Sequence, residues 1–384
     1  MAAACGLCAG ANYFNQPLLH SIAQALDVGD AQAASTVTLA QVSYALGLLL
    51  LVPLGDMLER RRLVLSLMVL AATGMLLSGL SGTVSSFALL VLGTGMTGLF
   101  SVAAQVLVPM AASLAAPGTG GRAVGLVMSG LLVGILAARS VAGVLSGLGG
   151  WNAVYWVGAA ATLAMAVLLA RALPTAPPAT RLGYGQVLHS LVQLLRQHPR
   201  LRSRALIGGL GFATVSVLFS TMALLLAGPA YGLNDTQIGL IGIVGIAGAL
   251  MANVVGRMAD RGLEQTATLA GALLMLAGWA LLWLGGHSLW AFLLGFLVVD
   301  GALQALHISN QNVVYALAPQ ARSRINAVYM TAYFIGAASG SAVGAWAWLQ
   351  AGWGGASLAG GALGLITLAV VLWDRRLARA AQAT

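Results

Sequence analysis

Apolar runs without a single charge recur from one end of this chain to the other, as in Leu63 to Leu80, Val154 to Leu169 and Leu358 to Trp373. A helix needs about 20 apolar residues to cross the ~30 Å hydrocarbon layer of a bilayer, and these runs approach that length. They lack the alternation of a barrel strand, so their backbone polar groups must be satisfied within helices. Only 7% of the residues are charged and 59% are hydrophobic, against roughly 25% charged in soluble domains. An all-α membrane protein without a separate soluble domain follows. The spans are expected at residues 2–25, 33–54, 63–80, 87–113, 122–146, 151–171, 204–228, 236–256, 266–285, 289–316, 325–349 and 354–373, twelve crossings in all.

A net charge of +9 invites a nucleic-acid partner, but the placement of the charge argues against one. Of the 18 basic residues, all arginine, 17 fall in the loops and tail on one side of this span pattern, Arg139 being the exception. The opposite loops hold Asp27, Asp30 and Asp235. By the positive-inside rule both termini and the middle connection are expected to be cytoplasmic. The basic balance reports topology, and no nucleic acid is expected as a partner.

One short loop is written twice. Gly55-Asp56-Met57-Leu58-Glu59-Arg60-Arg61-Arg62 is echoed by Gly256-Arg257-Met258-Ala259-Asp260-Arg261-Gly262, the aspartates being 204 positions apart. Ala116-Pro117 to Arg122 is echoed by Ala318-Pro319 to Arg324 at an offset of 202. Two echoes at nearly one offset indicate a duplicated unit. The boundary falls at residues 172–203, where Pro174, Pro177 and Pro178 end a span. Val187, Leu188, Leu191, Val192 and Leu195 then recur at helical spacing, which predicts an amphipathic helix on the cytoplasmic surface. Gly130-x-x-x-Gly134 and Gly336-x-x-x-Gly340 permit close helix approach. Cys5 and Cys8 have C-x-x-C spacing inside an apolar stretch, where packing is the expected role rather than redox chemistry.

On these residues the chain resembles the major facilitator superfamily over essentially its whole length. That family's loop motif reads G-x-x-x-D-(R/K)-x-G-(R/K)-(R/K). Gly256, Asp260 and Arg261 match it in the second copy, with Leu263 at the second glycine position. In the first copy Asp56, Arg60 and Arg61 match, while Val52 and Glu59 replace the glycines and Met57 the first basic residue. Tyr13-Phe14-Asn15-Gln16-Pro17-Leu18-Leu19, Pro53-Leu54-Gly55-Asp56 and Ser309-Asn310-Gln311 are similar to a bacterial branch grouped with arabinose- and drug-efflux permeases. The resemblance implies two pseudo-symmetric six-helix bundles, residues 1–171 and 204–384, joined by a cytoplasmic linker over 172–203. It also implies a multi-pass, monomeric protein of the bacterial cytoplasmic (inner) membrane. The two motif loops, with Asp56, Arg60, Arg61, Gly256, Asp260 and Arg261, are then expected to form a cytoplasmic gate. Asp56 would accept bonds from Arg60 or Arg61 and from nearby helix N-termini; anchoring the loop is the simpler role.

Charge within a span is the best pointer to chemistry, because at the bilayer centre it costs about 2.5–3.5 kcal/mol on insertion scales. Arg139 and Asp300 are such residues, roughly 10 Å and 16 Å from the outer ends of their spans at helical rise. Asp300, Gln304, His307 and Gln311 fall within an arc of about 60° at 100° per residue. A polar stripe of that kind should line a wet path or bind another helix. Imidazole titrates near neutrality, so Asp300 with His307, and Arg139 nearby, are the expected proton-coupling residues. Asn12, Gln16, Gln41, Tyr44, Gln105, Gln304, Gln311, Asn326, Tyr329 and Tyr333 are candidates for a cavity suited to a neutral or amphipathic organic solute. At the 202 offset Asp300 aligns with Gly98, Gln304 with Val102, His307 with Gln105 and Gln311 with Pro109. The antiporter motif of span 5 is kept only at Gly130 and Gly134, with Arg139 at its last glycine.

The expected function is secondary transport of a small organic solute by alternating access, proton-coupled and outward. A facilitator, an importer or a non-transporting membrane sensor are the alternatives. Scattered histidines without an H-E-x-x-H spacing argue against an enzyme or a metal site, and no cofactor is expected. The G-x-x-x-x-G-K-(S/T) loop of ATP-driven transport is missing from the sequence.

Overall fold

The computed structural model describes residues 1–114, 116, 120–175, 183–242, 263–317 and 322–383, and these residues form helices and no strand. Along the chain run α1 (Ala2–Ala11), α2 (Leu19–Ala25), α3 (Asp30–Leu50), α4 (Leu54–Met57), α5 (Arg60–Thr83), α6 (Phe87–Phe100), α7 (Ala103–Leu114), α8 (Gly120–Gly149) and α9 (Ala153–Ala172). They are followed by α10 (Tyr184–Gln197), α11 (Pro199–Ala227), α12 (Asp235–Ile241), α13 (Glu264–Leu284), α14 (Leu289–Leu317) and α15 (Arg322–Ala383). Nine helices among the described residues are long and apolar enough to cross a membrane. Large apolar side chains lie outside, as at Trp290 (82% exposed) and Leu148 (81%), as a lipid-facing surface requires.

The span pattern differs from expectation in the first span. Residues 2–25 are not one helix: α1 stops at Ala11, residues 12–15 turn, and a short 3-10 segment, Gln16–Leu18, leads into α2. Pro17 supplies no N–H and disfavours helical geometry at the residue before it, so the sequence itself explains the break. The last two expected spans run on without a loop in α15, but Ala351 and Gly352 between them leave helical geometry, Gly352 at φ 54°, so they are two helices joined by a sharp turn. Of the expected span 236–256 only α12 is described, the remainder lying outside the described residues.

The contacts divide the chain into two compact units, residues 1–188 with 234–242, and residues 189–233 with 243–384. Segment 234–242, from the second half of the sequence, therefore packs in the first unit. Its helix α12 begins with a capping box, in which Asn234 Oδ1 accepts from the Gln237 N–H and Gln237 Oε1 accepts from the Asn234 N–H. Asp235 then accepts from Ser21 Oγ (2.6 Å) and Ser146 Oγ (2.5 Å), and Thr236 Oγ1 donates to the Gly143 carbonyl (2.9 Å).

Both G-x-x-x-G pairs sit at helix crossings. A methyl group on Gly134 would overlap the backbone of Gly6 in α1, and one on Gly130 would meet the Ala2 carbonyl. In the second unit, methyl groups on Gly336 and Gly340 would overlap the backbones of Gly209 and Ala213 in α11. Close packing of this kind is what holds helices together where lipid removes the hydrophobic drive. Helix α10 buries Val187, Leu191 and Leu194 and exposes Val192 and Leu195, so its buried stripe is rotated from the one expected from spacing. Cys5 and Cys8 are buried free thiols.

Candidate functional site

In the first unit the break between α1 and α2 is where polar side chains gather. Arg139, 4% exposed on α8, donates through Nε to Gln16 Oε1 at 2.7 Å and lies 4.9 Å from the centre of the Tyr13 ring. This cation–π contact and charge-assisted bond hold the guanidinium against the broken helix. Asn12, Gln16, Gln41 and Tyr44 are buried, and Gln105 donates to the Tyr44 hydroxyl at 3.4 Å.

A small cavity opens beside the same break, lined in part by Asn12, Asn15, Thr94, Thr97 and Tyr155. Each of these five keeps a buried oxygen without a hydrogen-bond partner among the described residues. Asn15 shows how such an atom is fixed. Its amide nitrogen donates to Thr36 Oγ1 (3.0 Å), and that hydroxyl spends its proton on the Ala33 carbonyl (2.7 Å). Thr36 can only accept from Asn15, so the Asn15 amide oxygen is the atom left over.

In the second unit the stripe on α14 meets the aromatic stripe of α15. His307 Nδ1 lies 3.0 Å from the Tyr329 hydroxyl, and its ring sits 4.6 Å from that of Tyr333. Tyr333 stacks in turn on Phe212 of α11 at 4.2 Å. Asp300 is buried (6% exposed), while Gln304, His307 and Gln311 are partly exposed. Asp300 and His307 are two helical turns apart, about 10 Å along the axis, so they share a face rather than a bond. Asn326 accepts from the Tyr315 hydroxyl at 2.9 Å. Arg139 and Asp300 fall in different units.

One cluster has no counterpart in the expected site. Arg204, fully buried on α11, pairs through Nη2 with Asp374 Oδ2 of α15 at 2.7 Å. Its Nη1 donates to Thr268 Oγ1 (2.9 Å) and Asn310 Oδ1 (3.2 Å). Asp374 also accepts from Ser203 Oγ (2.5 Å) and Gln265 Nε2 (3.4 Å), with Arg200 Nη2 at 3.7 Å. Four helices are thus tied by one ion pair. In the sequence Arg204 stands among the loop arginines, where nothing local distinguishes a buried arginine from a topological one.

Comparison with known proteins agrees with this architecture. The family model of the Major Facilitator Superfamily matches residues 1–286. The chain belongs to that superfamily. A transporter of Escherichia coli O157:H7, YgaY, is 48% identical over 370 residues, covering 96% of this chain and 93% of its own. A Helicobacter acinonychis protein named "Probable sugar efflux transporter" is 25% identical over 351 residues, covering 91% and 88%. Among solved structures, a variant of the nucleoside transporter NupG shares the fold with a TM-score of 0.77 at 13% identity, covering 97% and 98%. This major facilitator is therefore a multi-pass membrane transporter of a small solute and not an enzyme.

Within the superfamily's first motif loop, Glu59 takes a glycine position and does a definite job. Its carboxylate accepts from the Arg61 and Arg62 N–H groups (3.0 Å each) and so caps α5. Arg60 Nε donates to the Gly55 carbonyl (3.0 Å), and Arg61 donates to the Ala170 carbonyl at the end of α9, where a cation also meets the negative end of the helix dipole. The Asp56 side chain lies outside the described residues, as do Gly256, Asp260 and Arg261.

Proposed function

We propose that this protein exports a small, neutral, hydroxyl-bearing organic solute by alternating access, coupled to protons through Asp300 and His307. The observation that carries the reading is the α14 stripe, which sets a buried carboxylate and an imidazole on one helix face. The imidazole is held by two tyrosines, Tyr329 and Tyr333. An intramembrane carboxylate and an imidazole are the groups that take up and release protons near neutral pH. Alternating access would move them between wet and dry surroundings.

Solute chemistry is suggested by the first unit. Amide and hydroxyl oxygens at Asn12, Asn15, Thr94, Thr97 and Tyr155 want hydrogen-bond partners, and hydroxyl groups both donate and accept. In this reading Gln16, Gln41, Tyr44 and Gln105 also meet the solute, Gln304, Gln311 and Asn326 play the same part in the second unit, and Arg139, bonded to Gln16, assists the proton coupling. The sugar-efflux name of the Helicobacter relative points the same way and supports the outward direction. In this reading the protein lies in the bacterial inner membrane with both termini cytoplasmic and acts as a monomer. Residues 1–171 and 204–384 form the two bundles around the linker 172–203, and the motif loops form the cytoplasmic gate.

The test is solute flux in proteoliposomes with an imposed pH gradient. Asp300→Asn is expected to lower gradient-driven flux at least tenfold while leaving counterflow exchange of the solute intact. Gradient-driven flux at the wild-type rate in Asp300→Asn would remove the coupling assignment.

A further inference from the structure

We infer that the break between α1 and α2 holds a sodium ion, bound by the amide oxygens of Asn12 and Asn15 and the hydroxyl oxygens of Thr94, Thr97 and Tyr155. These five residues line one cavity of about 10 Å³. All are 3–6% exposed, and each keeps a side-chain oxygen without a hydrogen-bond partner among the described residues. They come from three sides: the break itself, α6 and α9. The two amide oxygens are acceptors only, and Thr36 fixes the one on Asn15 by accepting from the amide nitrogen at 3.0 Å. A shared water makes about 3 hydrogen bonds, too few for five oxygens, whereas a hard cation gathers about six oxygen ligands.

The ligand set decides which ion. Calcium and magnesium sites are built on carboxylates, and soft metals take sulfur or imidazole. Here every ligand is a neutral oxygen, which suits a single positive charge. The cavity lies at the lower limit for one water, roughly 10–15 Å³, so it favours an ion smaller than water, sodium rather than potassium. Where a membrane helix is interrupted, its C-terminal end is partly negative and its freed carbonyls serve as cation ligands. Helix α1 ends at Ala11, and Ala11 lines the cavity beside Asn12. Arg139, a like charge, is held on the α8 side of the break by Gln16 Oε1 and the Tyr13 ring, while Asn15 turns to α3. The function proposed above gives these oxygens to a solute hydroxyl, which a seated ion would take as one more oxygen ligand. Binding of the ion itself does not rest on that reading.

Full-length protein in lipid nanodiscs, without solute, is heated in sodium, potassium or choline chloride at one ionic strength, and equilibrium binding of radioactive sodium counts the ions. Sodium alone should raise the melting temperature, as a ligand of the folded state does, with one ion bound per chain. Tyr155→Phe removes one ligand oxygen and keeps the ring against Phe14 and Trp151. Thr36→Val frees the Asn15 amide to turn. Each should raise the sodium concentration for half-saturation at least tenfold, and Asn12→Leu should abolish binding. Should Asn12→Leu fail to fold, the two milder variants still decide. Equal melting temperatures in the three salts with no bound sodium would overturn the inference. So would one bound sodium whose affinity is the same in Tyr155→Phe and Thr36→Val as in the wild type. Solute flux, measured separately, tests the transport reading and leaves this one standing.

Discussion

Replacing Asp374 by alanine is expected to remove about 3–5 kcal/mol of stability, the usual cost of leaving one member of a buried ion pair alone. Arg204 and Asp374 are 0% and 1% exposed, so water cannot stand in for the lost partner. The loss should be larger for Asp374 than for Arg204. Without the carboxylate, Arg204 and the neighbouring Arg200 face one another as like charges. Without Arg204, Asp374 retains Arg200 at 3.7 Å and the Ser203 hydroxyl at 2.5 Å. Coulomb attraction between buried charges hardly exceeds their desolvation, so an apolar pair of similar volume can do as well. Arg204→Met combined with Asp374→Leu should therefore recover most of what either single change loses. Thermal unfolding followed by size-exclusion chromatography in detergent measures all four species. Single variants as stable as the wild type would show that the pair is not desolvated, and the network would lose its structural meaning.

What the sequence made legible was whatever depends on short-range pattern. Apolar run length gave the membrane class, the duplicated loop gave the family, and a period near 3.6 put Asp300, Gln304, His307 and Gln311 on one face of α14. The α14 stripe needs no partner to be visible. Arg204 is the opposite case. It stands near a helix start among five other arginines of residues 171–204, where the positive-inside rule accounts for it completely, and the carboxylate that buries it comes 170 residues later. In the sequence Asp235 is one more outer-loop charge, and only the fold reveals that Ser21 and Ser146 converge on it. The interruption of the first span was written locally, in Asn12, Asn15 and Pro17, but apolar length outweighed it. Lipid-scale hydropathy averages over such a break, while hydrogen bonding does not.

A single methyl group at Gly336 is expected to cost more than the same change anywhere else in α15. Its Cβ would overlap the backbone of Gly209, and a backbone atom cannot turn aside as a side chain can. Relief requires α11 and α15 to separate, which would also pull Gly340 from Ala213 and loosen the ring stack of Phe212 on Tyr333. Overpacking of this sort costs about 1–3 kcal/mol for small intrusions, and Gly336→Leu should exceed that range and abolish the folded protein. Gly361 lies in the helix beyond the turn at Ala351 and Gly352, with no atom within 4 Å of its would-be Cβ. There the intrinsic preference of a helix for alanine is unopposed, so Gly361→Ala should be neutral or stabilising by up to about 1 kcal/mol. Comparing melting temperatures of Gly336→Ala and Gly361→Ala cancels the shared loss of glycine flexibility and isolates the crossing. Equal stability of the two would mean that the helices do not approach as closely as the packing at Gly209 and Gly336 requires. A marked drop for Gly336→Ala alone ties the G-x-x-x-G spacing of this bundle to direct backbone contact, and hence to the alignment of α11 on which Arg204, Gly208 and Phe212 all depend.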